Sequence, residues 1–194
     1  MKNIILIFVS ILLFSCNCNT KKTSSDKTPE TKEIKKELNI IVKDTVDDGM
    51  MLLGKINRKG FEDELFSSWY NEQFEEHILD TIVVEMLKPK LKNVSIKVFM
   101  GTWCSDSQRE VPALYKVLDA AEYDYSNLEM IAVSHEKETP NHLEKDMDIQ
   151  YVPTIILYKN NNEIGRYVEF AQENLEKDLL SIINEEGYKH SYKE

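Results

Sequence analysis

From residue 61 onward, segments with the apolar spacing of a helix alternate with short apolar runs that are typical of buried strands. Apolar residues recur at steps of four from Phe61 to Ile82, which predicts one long amphipathic helix that ends at Pro89. Two short apolar runs, at 94–100 and 128–134, contain β-branched residues and predict buried strands. A second helix is predicted between these two strands.

The last third of the chain continues the alternation. A strand is predicted at Thr154–Lys159, directly after Pro153, and residues 165–170 can return as its hairpin partner after an Asn-rich turn. A short helix is predicted at 142–147, and apolar positions within 174–183 predict a closing helix. The order helix, strand, helix, strand, helix, strand, strand, helix predicts an α/β sandwich whose central sheet is mixed and flanked by helices.

The first residues have the pattern of an export signal. Residues 1–15 begin with Lys2 and continue as an apolar run, 4–14, that is too short to span a bilayer of roughly 30 Å. The tripeptide Leu-Phe-Ser before Cys16 resembles the lipobox of bacterial lipoproteins. That resemblance implies cleavage before Cys16 and acylation of the new N-terminal cysteine; the alternative is a plain secretory peptide that is cleaved nearby.

Residues 16–39 are rich in Lys, Thr, Ser and Glu and have almost no side chains to bury. We therefore expect a signal peptide at 1–15, a lipid anchor and flexible tether at 16–39, and a folded domain at 40–194. The expected location is the bacterial cell envelope, with the exported domain held at a membrane through its N-terminal lipid.

The composition argues against several classes of partner and site. A net charge of −10 without a basic stripe argues against a nucleic-acid partner. The three cysteines, Cys16, Cys18 and Cys104, are too few for a disulfide scaffold. His77 has no second histidine at ligand spacing and is interpreted as structural, so we expect no metal and no cofactor.

One constellation of residues points to sulfur chemistry. The pair Trp103–Cys104 follows a predicted buried strand and begins a predicted helix, and Pro112 lies inside that helix. The tripeptide Val152-Pro153-Thr154 comes just before a later strand. In this order and spacing, the three features resemble the thioredoxin superfamily over roughly residues 61–183.

The resemblance implies a role for each of these residues. It makes Cys104 the nucleophile, Trp103 its flanking aromatic residue, Pro112 the kink of the helix, and Pro153 a cis proline that faces the cysteine. A thiolate rather than a thiol attacks a disulfide, and a helix N-terminus favours the negative charge. Substrate is then expected between Trp103 and Val152, whose backbone can pair with an extended segment.

Two departures from the family concern the second half of a dithiol reaction. Ser107 occupies the position of the second active-site cysteine; it can donate a hydrogen bond to a Cys104 thiolate but cannot resolve a mixed disulfide. Val98 occupies the position of the buried carboxylate that moves protons during resolution. Near the thiol, Asp106 is expected to oppose thiolate formation, and Arg109 offsets it if it points inward.

These features predict thiol–disulfide exchange through one nucleophilic cysteine. The thiol that releases the product can belong to the substrate protein, to a low-molecular-weight thiol, or to Cys18, which a flexible tether brings within reach of the domain. The partner is accordingly a thiol- or disulfide-bearing molecule. The alternative is a redox-inactive module of the same fold that holds a partner segment beside Pro153.

Overall fold

A computed structural model describes residues 38–193 of the chain. The strands are β1 (Ile40–Asp44), β2 (Gly49–Ile56), β3 (Ser95–Met100), β4 (Leu128–Ala132), β5 (Thr154–Lys159) and β6 (Asn162–Val168). The helices are α1 (Glu64–Glu76), α2 (Thr81–Leu91), α3 (Ser105–Ala120) and α4 (Leu175–Ile183), with short 3-10 helices at Arg58–Glu62 and Tyr125–Asn127. No helix among residues 38–193 has the length and apolarity needed to cross a membrane.

Several predictions concern residues outside this range. The signal peptide at 1–15, the acylated Cys16, the thiol of Cys18 and nearly all of the tether at 16–39 lie outside the described residues and stay predictions. The first strand, β1, begins at Ile40.

The six strands form one mixed sheet in the order β1-β2-β4-β3-β5-β6. The central strands β3 and β4 run parallel, and all other neighbours are antiparallel. Val98 in β3 lies opposite Met130 on one side and Ile155 on the other. The predicted fold class, an α/β sandwich with a mixed central sheet and flanking helices, is confirmed.

The two faces of the sheet are covered differently. The larger apolar cluster joins one face, which includes Val98, to buried residues of all four helices. The smaller cluster contains Phe99 on the opposite face, because successive residues of a strand point to opposite sides. It is covered by loop residues that follow β4: Leu143, Met147 and Ile149.

The single helix predicted from Phe61 to Pro89 is wrong, because the chain forms two helices with a break at 77–80. The Asp80 side chain accepts a hydrogen bond from Val83 N and caps the start of α2, while Asp80 N donates to Glu176 at 3.2 Å. Ile78 and Ile82, which continued the apolar spacing, are 90% and 76% exposed. Capping by a distant carboxylate therefore overrides the local pattern.

Two smaller predictions also differ from the structure. Pro89 lies inside α2, which ends two residues later at Leu91, since a proline near a helix end removes a single hydrogen bond. The helix predicted at 142–147 is a series of turns. His142 and Asp146 have positive φ values of 50° and 62°, a left-handed backbone that a right-handed helix cannot contain.

The β1–β2 hairpin was not predicted. Ile40 of β1 pairs with Leu53 of β2, and β2 continues the sheet by pairing with β4. In the connecting turn, Asp44 Oδ1 accepts hydrogen bonds from Val46 N at 2.9 Å and Asp47 N at 3.1 Å. The hairpin extends the sheet beyond β4, and Leu52 N of β2 donates to Thr102 Oγ1, two residues before Cys104, at 3.1 Å.

Candidate functional site

Cys104 lies where the chain leaves β3 and begins α3. It is the N-cap residue of α3 with an extended backbone, and its N–H donates to Gly101 O at 3.0 Å. The side chain is partly buried, and Sγ donates to Val152 O at 3.2 Å. Among residues 38–193 it is the one cysteine. The predicted nucleophile is thus a partly exposed thiol that faces the loop before β5.

The loop opposite Cys104 contains Val152 and Pro153, both buried, and the peptide bond between them is cis. The loop is held at both ends: Thr154 Oγ1 donates to Tyr151 O at 2.7 Å, and Glu169 N donates to Pro153 O at 2.8 Å. Within residues 38–193, the N–H of Val152 forms no hydrogen bond. This amide is a donor that an added extended segment can use.

Trp103 lies beside Cys104 in a fixed orientation. Its Nε1 donates to Val133 O at 2.9 Å, and its ring stacks on His135 with centroids 4.1 Å apart and planes at 19°. Lys137 Nζ lies 5.6 Å from the ring centroid. We call the surface between Trp103 and Val152–Pro153 the candidate groove.

Ser107 and Val98, the two departures from the family pattern, are both fully buried. Ser107 Oγ accepts a hydrogen bond from Gly101 N at 3.2 Å, whereas Cys104 Sγ bonds to Val152 O. The hydrogen bond foreseen between Ser107 and the sulfur is not formed in this structure. Ser107 instead fixes the loop that carries Trp103 and Cys104.

Arg109 does not point towards the sulfur but pairs with two acids on its own helix. Its Nη2 donates to Asp106 Oδ1 at 2.7 Å, and its Nε donates to Glu110 Oε1 at 2.8 Å. Asp106 is therefore paired with a cation that it shares with Glu110. Glu110 also accepts a hydrogen bond from the Tyr167 hydroxyl at 2.6 Å, and burial together with the Glu110 charge raises the pKa of that phenol far above its usual range.

The structure brings two residues to the site that sequence reasoning missed, His135 and Asp44. His135 Nε2 and Asp44 Oδ2 lie 2.9 Å apart, and Asp47 Oδ2 is 3.9 Å from the same nitrogen. Among residues 38–193 these three side chains have ligand atoms within 4.8 Å of one another and have the donor types of a cation site. The short contact between His135 and Asp44 is also that of a hydrogen-bonded histidine–carboxylate pair.

The chain matches one family of known proteins over most of its folded part. The thioredoxin family model matches residues 69–183, more than half of the chain. No curated protein matches the sequence.

Three of the solved structures that the chain matches have low sequence identity to it. An HIV epitope scaffold is 19% identical, with a TM-score of 0.45 over 63% of this chain and 83% of its own. A protein of unknown function from Pseudomonas aeruginosa is 19% identical, with a TM-score of 0.41 over 61% and 72%. Mitochondrial thioredoxin 3 from Saccharomyces cerevisiae, in its oxidised form, is 20% identical, with a TM-score of 0.29 over 43% and 74%. On the family match, this chain belongs to the thioredoxin family.

Proposed function

We propose that the protein carries out thiol–disulfide exchange through Cys104 alone, as a monothiol reductase or isomerase. The observation that carries the proposal is the position of Sγ. It lies at the N-terminus of α3, partly exposed, and 3.2 Å from the carbonyl of Val152, whose own N–H is free within residues 38–193. A substrate segment that pairs with Val152 would bring its disulfide next to the sulfur.

The exchange conserves disulfide bonds at each step. The Cys104 thiolate attacks one substrate sulfur, an S–S bond to Cys104 forms, and the other substrate sulfur leaves as a thiolate that takes a proton from water. In isomerisation, a second thiolate of the substrate attacks the substrate sulfur of this mixed disulfide, which forms a new substrate disulfide and releases the Cys104 thiolate. In reduction, a small thiolate attacks the Cys104 sulfur and the substrate leaves as a thiolate that takes a proton from water; a second small thiolate then attacks the small-thiol sulfur on Cys104, so that Cys104 is restored and the two small thiols leave as their own disulfide.

The surroundings of Cys104 support the first attack more than the resolution. A thiolate there can accept hydrogen bonds from the amides at the start of α3, as an N-cap side chain does. The Asp106 charge that would oppose it is paired with Arg109. For resolution, Ser107 has no sulfur and is fully buried, and Val98 has no titratable group. The releasing thiol must therefore come from outside residues 38–193.

Alkylation and trapping test this function directly. We expect iodoacetamide to alkylate Cys104 in the folded protein faster than the same cysteine in the chain unfolded by urea, compared at one pH. We expect the protein to form a mixed disulfide with a peptide disulfide, and small thiols such as glutathione to release it. Cys104→Ser is the control for both reactions. Ordinary alkylation together with no mixed disulfide would overturn the proposal.

The second candidate is a binding module without turnover. It is favoured by the hydrogen bond from Cys104 Sγ to Val152 O, which only the protonated thiol can donate. This function predicts that a partner segment binds in the candidate groove equally well when Cys104 is replaced by Ser. Exchange predicts that capture is covalent and is lost in the same variant.

We further propose that the domain works at the surface of a bacterial envelope membrane, anchored through a lipid on Cys16. This part rests on the sequence pattern of residues 1–16. Cells grown with labelled palmitate should yield a labelled protein in the membrane fraction, and Cys16→Ala should remove the label. Equal labelling of the variant would overturn the anchor but leave the chemistry of Cys104 untouched.

A further inference from the structure

Four contacts limit the movement of the Trp103 indole. Its N–H donates to Val133 O, one face stacks on His135, and Lys137 lies near the ring. The fourth is the backbone of Gly101, where an added Cβ would lie only 2.5 Å from Trp103 Cε2. An aromatic ring held this firmly presents one defined surface to a ligand instead of several.

His135 is itself held by a buried carboxylate. Asp44 is 4% exposed, its Oδ2 accepts from His135 Nε2 at 2.9 Å, and its Oδ1 accepts from the N–H groups of Val46 and Asp47. These hydrogen bonds, above all the one from His135, hold the pKa of Asp44 below its ordinary value. Asp44 therefore stays ionised and keeps the imidazole plane parallel to the indole.

Asp44 belongs to the β1–β2 hairpin, which precedes the residues that match the thioredoxin family model, 69–183. The hairpin touches the site at a second point as well. Leu52 N donates to Thr102 Oγ1 at 3.1 Å, and Thr102 is the buried residue next to Trp103. A segment that the family match does not include thus supports the loop that carries Trp103 and Cys104.

We propose that Asp44 and His135 are positioning residues that hold Trp103 as one side of the candidate groove and so determine which disulfide substrates reach Cys104. This inference rests on the proposed function. The two residues act on substrate binding through Trp103 and do not touch the reacting sulfur atoms. Their removal should therefore slow exchange with a peptide disulfide while leaving the reactivity of the thiol towards a small reagent unchanged.

The chain offers variants that separate the two contacts of His135. His135→Gln keeps a donor for Asp44 but loses the ring that stacks on Trp103. His135→Phe keeps a ring but loses the bond to Asp44. Asp44→Asn keeps the acceptor for the turn amides and removes the charge. The matched control is His77→Ala, since His77 pairs with buried Glu176 at the same distance of 2.9 Å, on a different part of the molecule.

The experiment uses the full chain with Trp69→Phe, so that Trp103 is the single tryptophan. It measures three quantities: Trp103 emission and its quenching by acrylamide, the rate of mixed-disulfide formation with a peptide disulfide, and the rate of alkylation by iodoacetamide. We expect His135→Ala to expose Trp103 to acrylamide and to slow the peptide reaction about tenfold, with alkylation changed by less than about twofold. His135→Gln should behave like His135→Ala.

A double-mutant cycle tests whether Asp44 acts on Trp103 through His135. Asp44→Asn should slow the peptide reaction and expose Trp103 when His135 is present, and have no further effect in the His135→Phe background, where the bond to Asp44 is already absent. His135→Phe should restore most of the shielding of Trp103, because a ring again covers the indole. His77→Ala should leave all three quantities unchanged.

Several results would overturn the proposal. The first is unchanged quenching of Trp103 in His135→Ala. The second is a slowing of the peptide reaction in His77→Ala equal to that in His135→Ala. The third is a slowing of alkylation in His135→Ala as large as that of the peptide reaction, which would place His135 in the chemistry of the thiol. A Trp103 signal that EDTA abolishes and Zn²⁺ restores would assign Asp44, Asp47 and His135 to a metal site instead. If the wild type forms no mixed disulfide, the proposed function fails, whereas the emission data still decide whether His135 positions Trp103.

Discussion

Two histidine–carboxylate pairs with nearly the same geometry lie in different regions of the molecule. His77 and Glu176 are 2.9 Å apart, with 19% and 1% of their side chains exposed; His135 and Asp44 are also 2.9 Å apart, with 18% and 3% exposed. The first pair joins the end of α1 to the start of α4. The second joins the β1–β2 hairpin to the loop after β4.

The pairs differ in what else their members contact. Glu176 also accepts from Asp80 N, so the first pair stabilises the break between α1 and α2. His135 also stacks on Trp103, so the second pair reaches the residue that flanks Cys104. The comparison teaches that distance and burial describe the strength of such a pair, whereas its remaining contacts determine its role.

The largest effect on stability is expected at the first pair. Glu176→Ala leaves the Asp80 N–H and the His77 ring without their buried acceptor, and should lower the free energy of unfolding by about 3 kcal/mol. Urea denaturation measures this loss, and alkylation of Cys104 should stay as in the wild type. The control is His142→Ala, whose side chain is 73% exposed and 3.4 Å from Glu144; it should change stability by less than about 0.5 kcal/mol. A similar small change for both variants would contradict the structural role of the first pair.

Gly101→Ala is expected to reduce stability less than Glu176→Ala does, but to displace Trp103 in the candidate groove. The new methyl group would displace the Trp103 indole, which lies 2.5 Å from the Cβ position, and break its contacts with Val133 O and His135. The free energy of unfolding should fall by about 2 kcal/mol and Trp103 should become accessible to acrylamide. Gly49→Ala is the matched control because no atom lies within 4 Å of its Cβ position. Unaltered Trp103 quenching in Gly101→Ala would show that the indole is not confined as described.

The smallest expected effect is a dependence of stability on pH through Asp44 and Glu176. The hydrogen bond from His135 lowers the pKa of Asp44. Burial raises the pKa of Glu176, but the hydrogen bonds from His77, from the N–H of Glu176 itself and from the Asp80 N–H together outweigh it, and the net shift is downward. A lowered carboxylate pKa stabilises the fold above the unfolded values of 3.8 and 4.5, and this stabilisation is lost as the pH falls through the folded pKa. Asp44→Asn and Glu176→Gln should therefore be less stable than the wild type at about pH 7, and the difference should shrink below about pH 4. A difference that is constant with pH, measured by urea denaturation, would exclude this linkage.

Local sequence signals were sufficient where the tertiary structure agrees with them. β5 begins and ends as predicted, at Thr154–Lys159, because a proline precedes a short run of buried apolar residues. The helix after β3 was predicted with Pro112 inside it, and α3 contains Pro112. Cys104 was predicted at the junction between the two, where its position follows from the chain order alone.

Contacts between distant residues account for what was missed. The break before α2 depends partly on Glu176, 96 residues after Asp80, which local sequence does not reveal, and partly on Asp80 itself, whose residue type is a local N-cap signal that the spacing of apolar residues obscured. Asp44 and His135 are 91 residues apart and belong to no spacing pattern, so only the folded sheet brings them together. The hairpin did carry one local signal, the Asp-Gly pair at the start of β2, which is typical of tight turns.

The uneven cover of the sheet has a consequence for local opening. The face that carries Phe99 is covered by turns rather than by a helix, and those turns lead directly into Val152 and Pro153. A segment with few regular backbone hydrogen bonds opens at a lower free energy than the strands it covers. Amide protons of residues 140–151 should thus exchange with solvent long before those of β5, and this readily opened segment leads into the loop that faces Cys104.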